Sequence, residues 1–272
     1  MVTSVFAHSL KEALEYRRNP KWIPYCGGTD LMVEGDEGAA YLFVNQVPEM
    51  RKILVEDNRL RLGAAVTFTE ILNAAEVPQI LKEAMGDIAA PAIRNAGSIG
   101  GNIGNGSAKA DSALVFMVAD ADLRLASADG ERILPIKDFY LGRKHLALKP
   151  DELIVEVIMP YKGLENYYYQ KVGARDALAI SRLSFAGIME LEGDKIKNFA
   201  TAFGAVADVI LRPKEIDAIM IGKTLEEAKA LKEEYLKAID AFIVPIRGRV
   251  SVEYRKDVAM NLLKDFLEVK GL

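Results

Sequence analysis

Between Arg94 and Asp111 the chain reads RNAGSIGGNIGNGSAKAD, with five glycines (Gly97, Gly100, Gly101, Gly104 and Gly106) inside ten residues and a lone carboxylate ahead of an apolar run. Glycine lacks a Cβ and tolerates positive φ, so successive N–H groups in such a segment can converge into a concave nest for an anion such as a pyrophosphate. A second glycine site lies near the N-terminus, Pro24-Tyr25-Cys26-Gly27-Gly28-Thr29-Asp30-Leu31, after a helix-like stretch opened by Ser9 and Glu12 in capping-box spacing. Its glycine pair lets the backbone come near a ligand, Thr29 offers a hydroxyl and Asp30 an acceptor for ribose or polyol hydroxyls. Two such loops could grip one ligand with adjacent phosphates from both sides.

Neither common phosphate motif fits. Gly101 and Gly106 have the Walker A separation, but Ser107 and Ala108 follow where a lysine and a hydroxyl residue are needed, which argues against a nucleotide triphosphatase. No G-x-G-x-x-G occurs, and the preceding DIAAPAIRNA contains Pro91 and does not read as a buried parallel strand. Taken alone, the Arg94–Asp111 cluster reads more readily as an ordinary glycine-rich surface loop; it is the second glycine site that points to a ligand.

The chain resembles the FAD-binding subunits or domains of the molybdenum hydroxylases, the medium subunits of the xanthine dehydrogenase and carbon monoxide dehydrogenase type. The likeness runs almost end to end, through F-x-H-S-L-K-E-A-L and GGTDL, IRNAGSIGGNI, ELIVEVIMPY, YYYQKVGARDALAISRLSFAGI, AFGAVADVILRPKEIDAIMIGKTLEE and SVEYRKDVAMNLL in that order. It implies FAD extended between the two loops, with Pro24, Tyr25, Cys26, Gly27, Gly28, Thr29, Asp30 and Leu31 as one wall of the pyrophosphate site and Ser98, Ile99, Gly100, Gly101 and Asn102 as the other. Asp111 matches a position that touches the flavin nucleotide, and Ile88 and Ile154 match apolar positions beside the cofactor. Lys171 corresponds to a lysine near the isoalloxazine, where a cation would favour the reduced, anionic ring. Ile180 lies in a segment that can cover one flavin face.

The chain departs from the family in three places. Ser107-Ala108-Lys109-Ala110-Asp111 keeps a carboxylate but lacks the proline that stiffens Ser-Pro-x-x-Asp in many members. Ala177, Leu178 and Ala179 stand where animal xanthine dehydrogenases are acidic, so their nicotinamide-binding details do not transfer. Cys26 is the single cysteine and cannot ligate the extra iron–sulfur cluster of some relatives. With two histidines, His8 and His145, there is no metal-ligand spacing and no histidine-based triad, and no catalytic or metal residue is assigned.

The elements that must position these loops alternate. Lys52 to Gly63 reads as a hairpin turning at Asp57-Asn58, and Thr69 to Ala75 and Val77 to Met85 as short helices. Ser112 to Ala119 reads as a helix whose N-terminal dipole would face phosphate, and Leu123 to Ala126 with Arg132 to Leu134 as a hairpin around Asp129-Gly130. Antiparallel strands follow at Tyr167 to Leu191 and Ile196 to Val206, with Tyr167 and Tyr169 on one face and Tyr168 on the other. Thr224 and Glu227 cap a helix ending near Phe242, and Tyr254 to Val269 makes the last. The expected class is α+β: a two-part, PCMH-like FAD-binding domain over 1–162 (subdomains about 1–55 and 56–162), then a smaller C-terminal α+β domain over 163–272 with an antiparallel sheet and helices.

With 272 residues, 50% hydrophobic, there is material for two cores, and a net charge of −4 with dispersed cations argues against a nucleic-acid partner. No apolar run is long enough to span a bilayer and no signal pattern opens the chain, so the expected setting is cytoplasmic. The resemblance implies an oxidoreductase component that takes electrons from a 2Fe-2S small subunit, fed by a molybdenum-cofactor large subunit, and passes them through FAD to an external acceptor. A stand-alone FAD-dependent oxidoreductase acting on a small organic substrate and a non-catalytic nucleotide-binding module are the alternatives.

Overall fold

A computed structural model of the chain describes residues 3–36 and 38–272. In chain order the first elements are β1 (Thr3–Phe6), α1 (Leu10–Arg17), β2 (Trp22–Tyr25), α2 (Leu31–Glu34), β3 (Ala40–Phe43), β4 (Ile53–Glu56) and β5 (Arg59–Gly63). Helices α3 (Phe68–Asn73), α4 (Gln79–Gly86), α5 (Pro91–Ala96), α6 (Ile99–Gly104) and α7 (Asp111–Val118) follow. Next come β6 (Asp122–Ser127), β7 (Gly130–Pro135), β8 (Tyr140–Gly142), β9 (His145–Leu146), β10 (Leu153–Pro160), β11 (Tyr167–Val172), β12 (Leu183–Glu192) and β13 (Lys195–Gly204), and the chain ends in α8 (Lys214–Asp217), α9 (Leu225–Phe242) and α10 (Val252–Val269).

These elements form two compact units. The first comprises Met1–Val77, Ala89–Gly106 and Asp120–Tyr161, and the second Pro78–Ile88, Ser107–Ala119 and Lys162–Leu272. A division at residue 162 is thus interrupted by α4 and α7, which belong to the second unit. The reason is the composition of α7: all eight residues of DSALVFMV are buried, so it has no polar face to turn to water and needs cover on every side. It finds that cover on β12, β13 and α4.

In the first unit, β1 and β2 both pair parallel to β3, giving the order β1-β3-β2. The last strand of that sheet ends at Phe43, and the next sheet begins at β4. This second sheet has the order β4-β5-β10-β6-β7 and is antiparallel throughout. Its central strand β10 is buried along almost its whole length, including Glu156. Arg61 and Arg124 compensate that carboxylate, at 2.6 Å and 3.1 Å. The hairpin expected over Lys52 to Gly63 is β4–β5, and Asp57 (φ 49°) and Asn58 (φ 58°) take the two left-handed positions that a two-residue type I′ turn requires.

The second unit is built on the antiparallel sheet β11-β12-β13. Alternation along β12 divides its side chains between two layers. Phe185, Gly187 and Met189 face α9 and α10, where Phe185, Phe199 and Phe266 form the aromatic centre of the core. Ser184 and Ala186 face the other way, toward α7. Beneath α9, the buried Asp217 carboxylate accepts from Thr201 N–H (2.7 Å) and Tyr235 O–H (2.7 Å) and pairs with Arg212 (2.5 Å). Thr224 and Glu227 form the expected capping box on α9, while α10 starts two residues before Tyr254 because Ser251 caps it.

Candidate functional site

Strand β2 delivers Pro24 and Tyr25, and the chain then turns through Cys26, Gly27, Gly28 and Thr29 to Asp30, which precedes Leu31 at the start of α2. Gly28 has φ +66°, a conformation that side chains disfavour. Among the described residues, no acceptor pairs with the backbone N–H of Gly27, Gly28, Thr29 or Asp30. Four successive unsatisfied donors next to a left-handed glycine are the makings of an anion nest.

The second glycine segment is built differently. Instead of an open loop it is the two short helices α5 and α6, joined through Gly97 and Ser98. Pro91 opens α5 and the buried Ser98 side chain caps α6, accepting from Gly101 N–H at 3.1 Å. Ile99 N–H donates to Val66 O at 3.0 Å, Gly100 N–H to Ala64 O at 2.8 Å and Asn102 N–H to Ser98 O at 3.0 Å. These amides are therefore committed to the protein, and the open row of donors expected over Ser98–Asn102 is not present. The apolar pair Ile99 and Ile103, four residues apart and fully buried, anchors the turn and explains why it is helical.

What the fold does bring together is the backbone of the two segments. A Cβ on Gly27 would lie 1.9 Å from the carbonyl oxygen of Ala96, so only glycine permits this approach. Asp30 is tied to the same segment by the side-chain amide of Asn105. Ile154 on β10 lies 8% exposed, and its Cδ1 is 3.6 Å from where a Gly104 Cβ would stand.

Beside the Cys26–Gly27 turn opens a cleft of about 560 Å³, lined also by Asn45, Arg51, Thr67 and Glu70. The Asn45 Oδ1 is buried and has no partner among the described residues, an orphan acceptor in a cleft wall. Arg51 pairs with Glu70, which also completes a capping box with Thr67. Sequence reading missed these residues, although the Thr67–Glu70 spacing was a usable local signal. Cys26 lines the cleft too, but its thiol only approaches Ala65 O at 3.9 Å, and burial pushes its pKa up, away from nucleophilic use. Among the described residues no three His, Cys, Asp or Glu side chains converge on a metal position.

Ile88, Asp111 and Lys171 belong to the second unit. Ile88 is half-buried just beyond α4. Lys171 Nζ lies 2.9 Å from Asp111 Oδ2 and donates to Asp87 O at 2.8 Å, leaving one of its three N–H groups without an acceptor among the described residues. Asp111 also accepts from Ser181 O–H at 2.7 Å, a partner seventy residues away that no local pattern could reveal. Burial raises the Asp111 carboxyl pKa, and Lys171 and Ser181 pull it back. The first turn of α7 therefore carries its own carboxylate, which the N-terminal dipole favours, where the sequence suggested phosphate. Alternation on β11 sets Tyr167 and Tyr169 on the face of Lys171: Tyr167 donates to Glu83 at 2.5 Å, and the buried Tyr169 hydroxyl has no partner among the described residues.

Residues 1–162 match the family model described as the FAD binding domain in molybdopterin dehydrogenase, and residues 167–269 match the CO dehydrogenase flavoprotein C-terminal domain. The chain is 31% identical over 257 residues to the xanthine dehydrogenase FAD-binding subunit of Escherichia coli O157:H7, spanning 90% of this chain and 86% of that one. It is 28% identical over 273 residues to the nicotinate dehydrogenase FAD-subunit of Eubacterium barkeri, spanning 94% and 91%. A chain of the carbon monoxide dehydrogenase from Hydrogenophaga pseudoflava shares the fold, with a TM-score of 0.88 at 24% identity over 97% of this chain and 95% of that chain. The chain belongs to the family of FAD-binding subunits of molybdopterin dehydrogenases.

Proposed function

We infer that the chain is the FAD-binding electron-transfer subunit of a molybdenum hydroxylase-type dehydrogenase complex. The observation that carries this reading is the run of amides at Gly27–Asp30, without acceptors among the described residues, with Gly27 seated on Ala96 where no Cβ fits. That donor set suits a diphosphate, so the residues fit the group that the family binds. When bound, FAD supplies reversible redox chemistry that accepts electrons from one donor and releases them to another.

The chain's own residues have separable tasks. Gly27, Gly28, Thr29 and Asp30 donate N–H groups to the diphosphate, and Pro24, Tyr25, Cys26 and Leu31 shape that wall. Ser98, Ile99, Gly100, Gly101 and Asn102 support the opposite wall, with their amides holding α6 in place. Ile88 and Ile154 offer apolar surface to the cofactor. Asp111 fixes the Lys171 ammonium, so that Lys171 acts as an oriented donor of a neutralised pair in place of a bare cation. Electrons arrive from a 2Fe-2S small subunit supplied by a molybdenum-cofactor large subunit, and leave to an external acceptor, in a cytoplasmic setting. No helix among the described residues is long and apolar enough to cross a membrane.

The test is a visible absorption spectrum of the purified chain with mass identification of any cofactor released on denaturation. Stoichiometric FAD is expected; persistent absence of flavin after reconstitution with excess FAD overturns the reading. Isolation at native expression without either partner subunit overturns the assembly.

A further inference from the structure

Four buried side-chain atoms have no hydrogen-bond partner among the described residues, and two of the four, the hydroxyl oxygens of Tyr169 and Ser184, belong to one face of one sheet. Tyr169 stands two residues before Lys171 on β11, and Ser184 is the direct cross-strand partner of Lys171 on β12, so both hydroxyl residues neighbour the ammonium. A buried hydroxyl without a partner is destabilising. Two of them beside one ion pair are not explained by packing.

Both belong to the surroundings of Asp111. Burial raises the Asp111 carboxyl pKa, and Ser184 joins Lys171 and Ser181 in drawing it back. Burial also raises the pKa of Tyr169, and among the charges that add to this Asp111 comes first, then Asp87 and Glu83. The phenol is therefore a fully protonated donor in a field of carboxylates. Gly204, the partner of Ser184 on β13, leaves room for the serine hydroxyl, since a Cβ there would stand 2.4 Å from Ser184 Oγ.

Asp111 takes Lys171 on one oxygen, at 2.9 Å, and Ser181 on the other, at 2.7 Å. A carboxylate has lone pairs for about four donors, so further partners can join without displacing these. Any shift of the ammonium off Asp111 uncovers part of a buried charge, which is costly unless other donors move in. Tyr169 and Ser184 are such donors, already in place and unspent.

We propose, on the flavin reading above, that Tyr169 and Ser184 are positioning residues that give the Asp111–Lys171 pair a second state. As the cofactor gains negative charge on reduction, the two hydroxyls turn onto Asp111 and the Lys171 ammonium leans from the carboxylate toward the cofactor. Only hydrogen bonds change partner, and no proton is transferred. With oxidised cofactor the ammonium returns to Asp111. Lys171 thus interacts more strongly with the reduced form than with the oxidised one, and a difference of that kind raises the potential.

The test is the midpoint potential of the FAD-loaded full chain, measured by equilibration with a reference dye, for the native protein and for Tyr169→Phe/Ser184→Ala, each with and without Lys171→Met. The paired substitution is expected to favour the reduced cofactor about tenfold less, a potential about 30 mV more negative for a two-electron couple. The shift is expected to vanish in the Lys171→Met background. Thermal melting of the flavin-free chain is the second readout: Tyr169→Phe removes a hydroxyl that makes no bond there, so the melting temperature should stay or rise. An unmoved potential, or an equal shift without Lys171, overturns the proposal. So does a flavin-free Tyr169→Phe chain that melts well below the native one, which would mark the hydroxyl as structural. A native chain that takes up no FAD is a different result, because it overturns the flavin reading itself and this proposal with it.

Discussion

The ammonium of Lys171 on β11 sits 2.9 Å from the carboxylate of Asp111, the first residue of α7, with the two side chains 10% and 4% exposed. Sixty residues apart in the chain, they join the strand sheet of the second unit to the helix that the unit draws from the N-terminal half of the sequence. Removing one partner leaves a buried charge alone, which typically costs about 3–5 kcal/mol. Lys171→Met and Asp111→Leu should each destabilise the protein on that scale in chemical denaturation, and the double substitution Lys171→Met/Asp111→Leu should cost clearly less than their sum. Additive losses would show that the pair is not coupled.

Gly27 and Gly104 make opposite predictions. An added methyl at Gly27 meets the Ala96 carbonyl, whereas at Gly104 the nearest atom, Ile154 Cδ1, is at an ordinary 3.6 Å. Gly27→Ala is expected to lose flavin on gel filtration. Gly104→Ala should keep it and gain up to about 1 kcal/mol, because alanine loses less backbone entropy in a helix. Full flavin retention by Gly27→Ala would remove the close approach from the account.

Glu152 gives the acid response a defined sign. Its carboxylate, 5% exposed, receives a bidentate pair of bonds from Arg132 at 2.7 Å and 2.9 Å and a further one from Lys149 N–H at 2.8 Å. Arg132 above all, then the Lys149 amide, holds its pKa below the ordinary glutamate range. The proton is therefore bound more tightly by the unfolded chain, so the stabilisation is present above about pH 4.3 and disappears as the pH falls through the depressed native value. Glu152→Gln should lower stability at neutral pH and flatten its decline in acid. An equally steep acid limb in that variant would place the sensitivity elsewhere.

Gly187 on β12 faces the ring of Phe266, and a Cβ there would come within 2.8 Å of ring carbons. Overpacking of this kind costs about 1–3 kcal/mol. Gly187→Ala should lower the melting temperature, and the pair Gly187→Ala/Phe266→Leu should recover part of the loss. A melting temperature unchanged in the single variant would mean that the ring moves aside freely.

Local chemistry was legible in the sequence wherever a few neighbouring residues decide the outcome. Asp57-Asn58 specified its turn, Thr224 with Glu227 specified the start of α9, and the alternation of Tyr167, Tyr168 and Tyr169 specified the faces of β11. The two glycine segments and the family likeness were equally readable, since backbone permissiveness is written in residue type. Tertiary structure alone decided that the first segment offers free amides while the second spends its own on Val66 and Ala64, because hydrogen-bond partners come from remote strands. It also decided that α7 belongs with the C-terminal sheet and that Ser181 closes on Asp111. Burial of a helix on every side and compensation of the carboxylate at its start are properties of what surrounds a residue, and those surroundings exist only once the chain has folded.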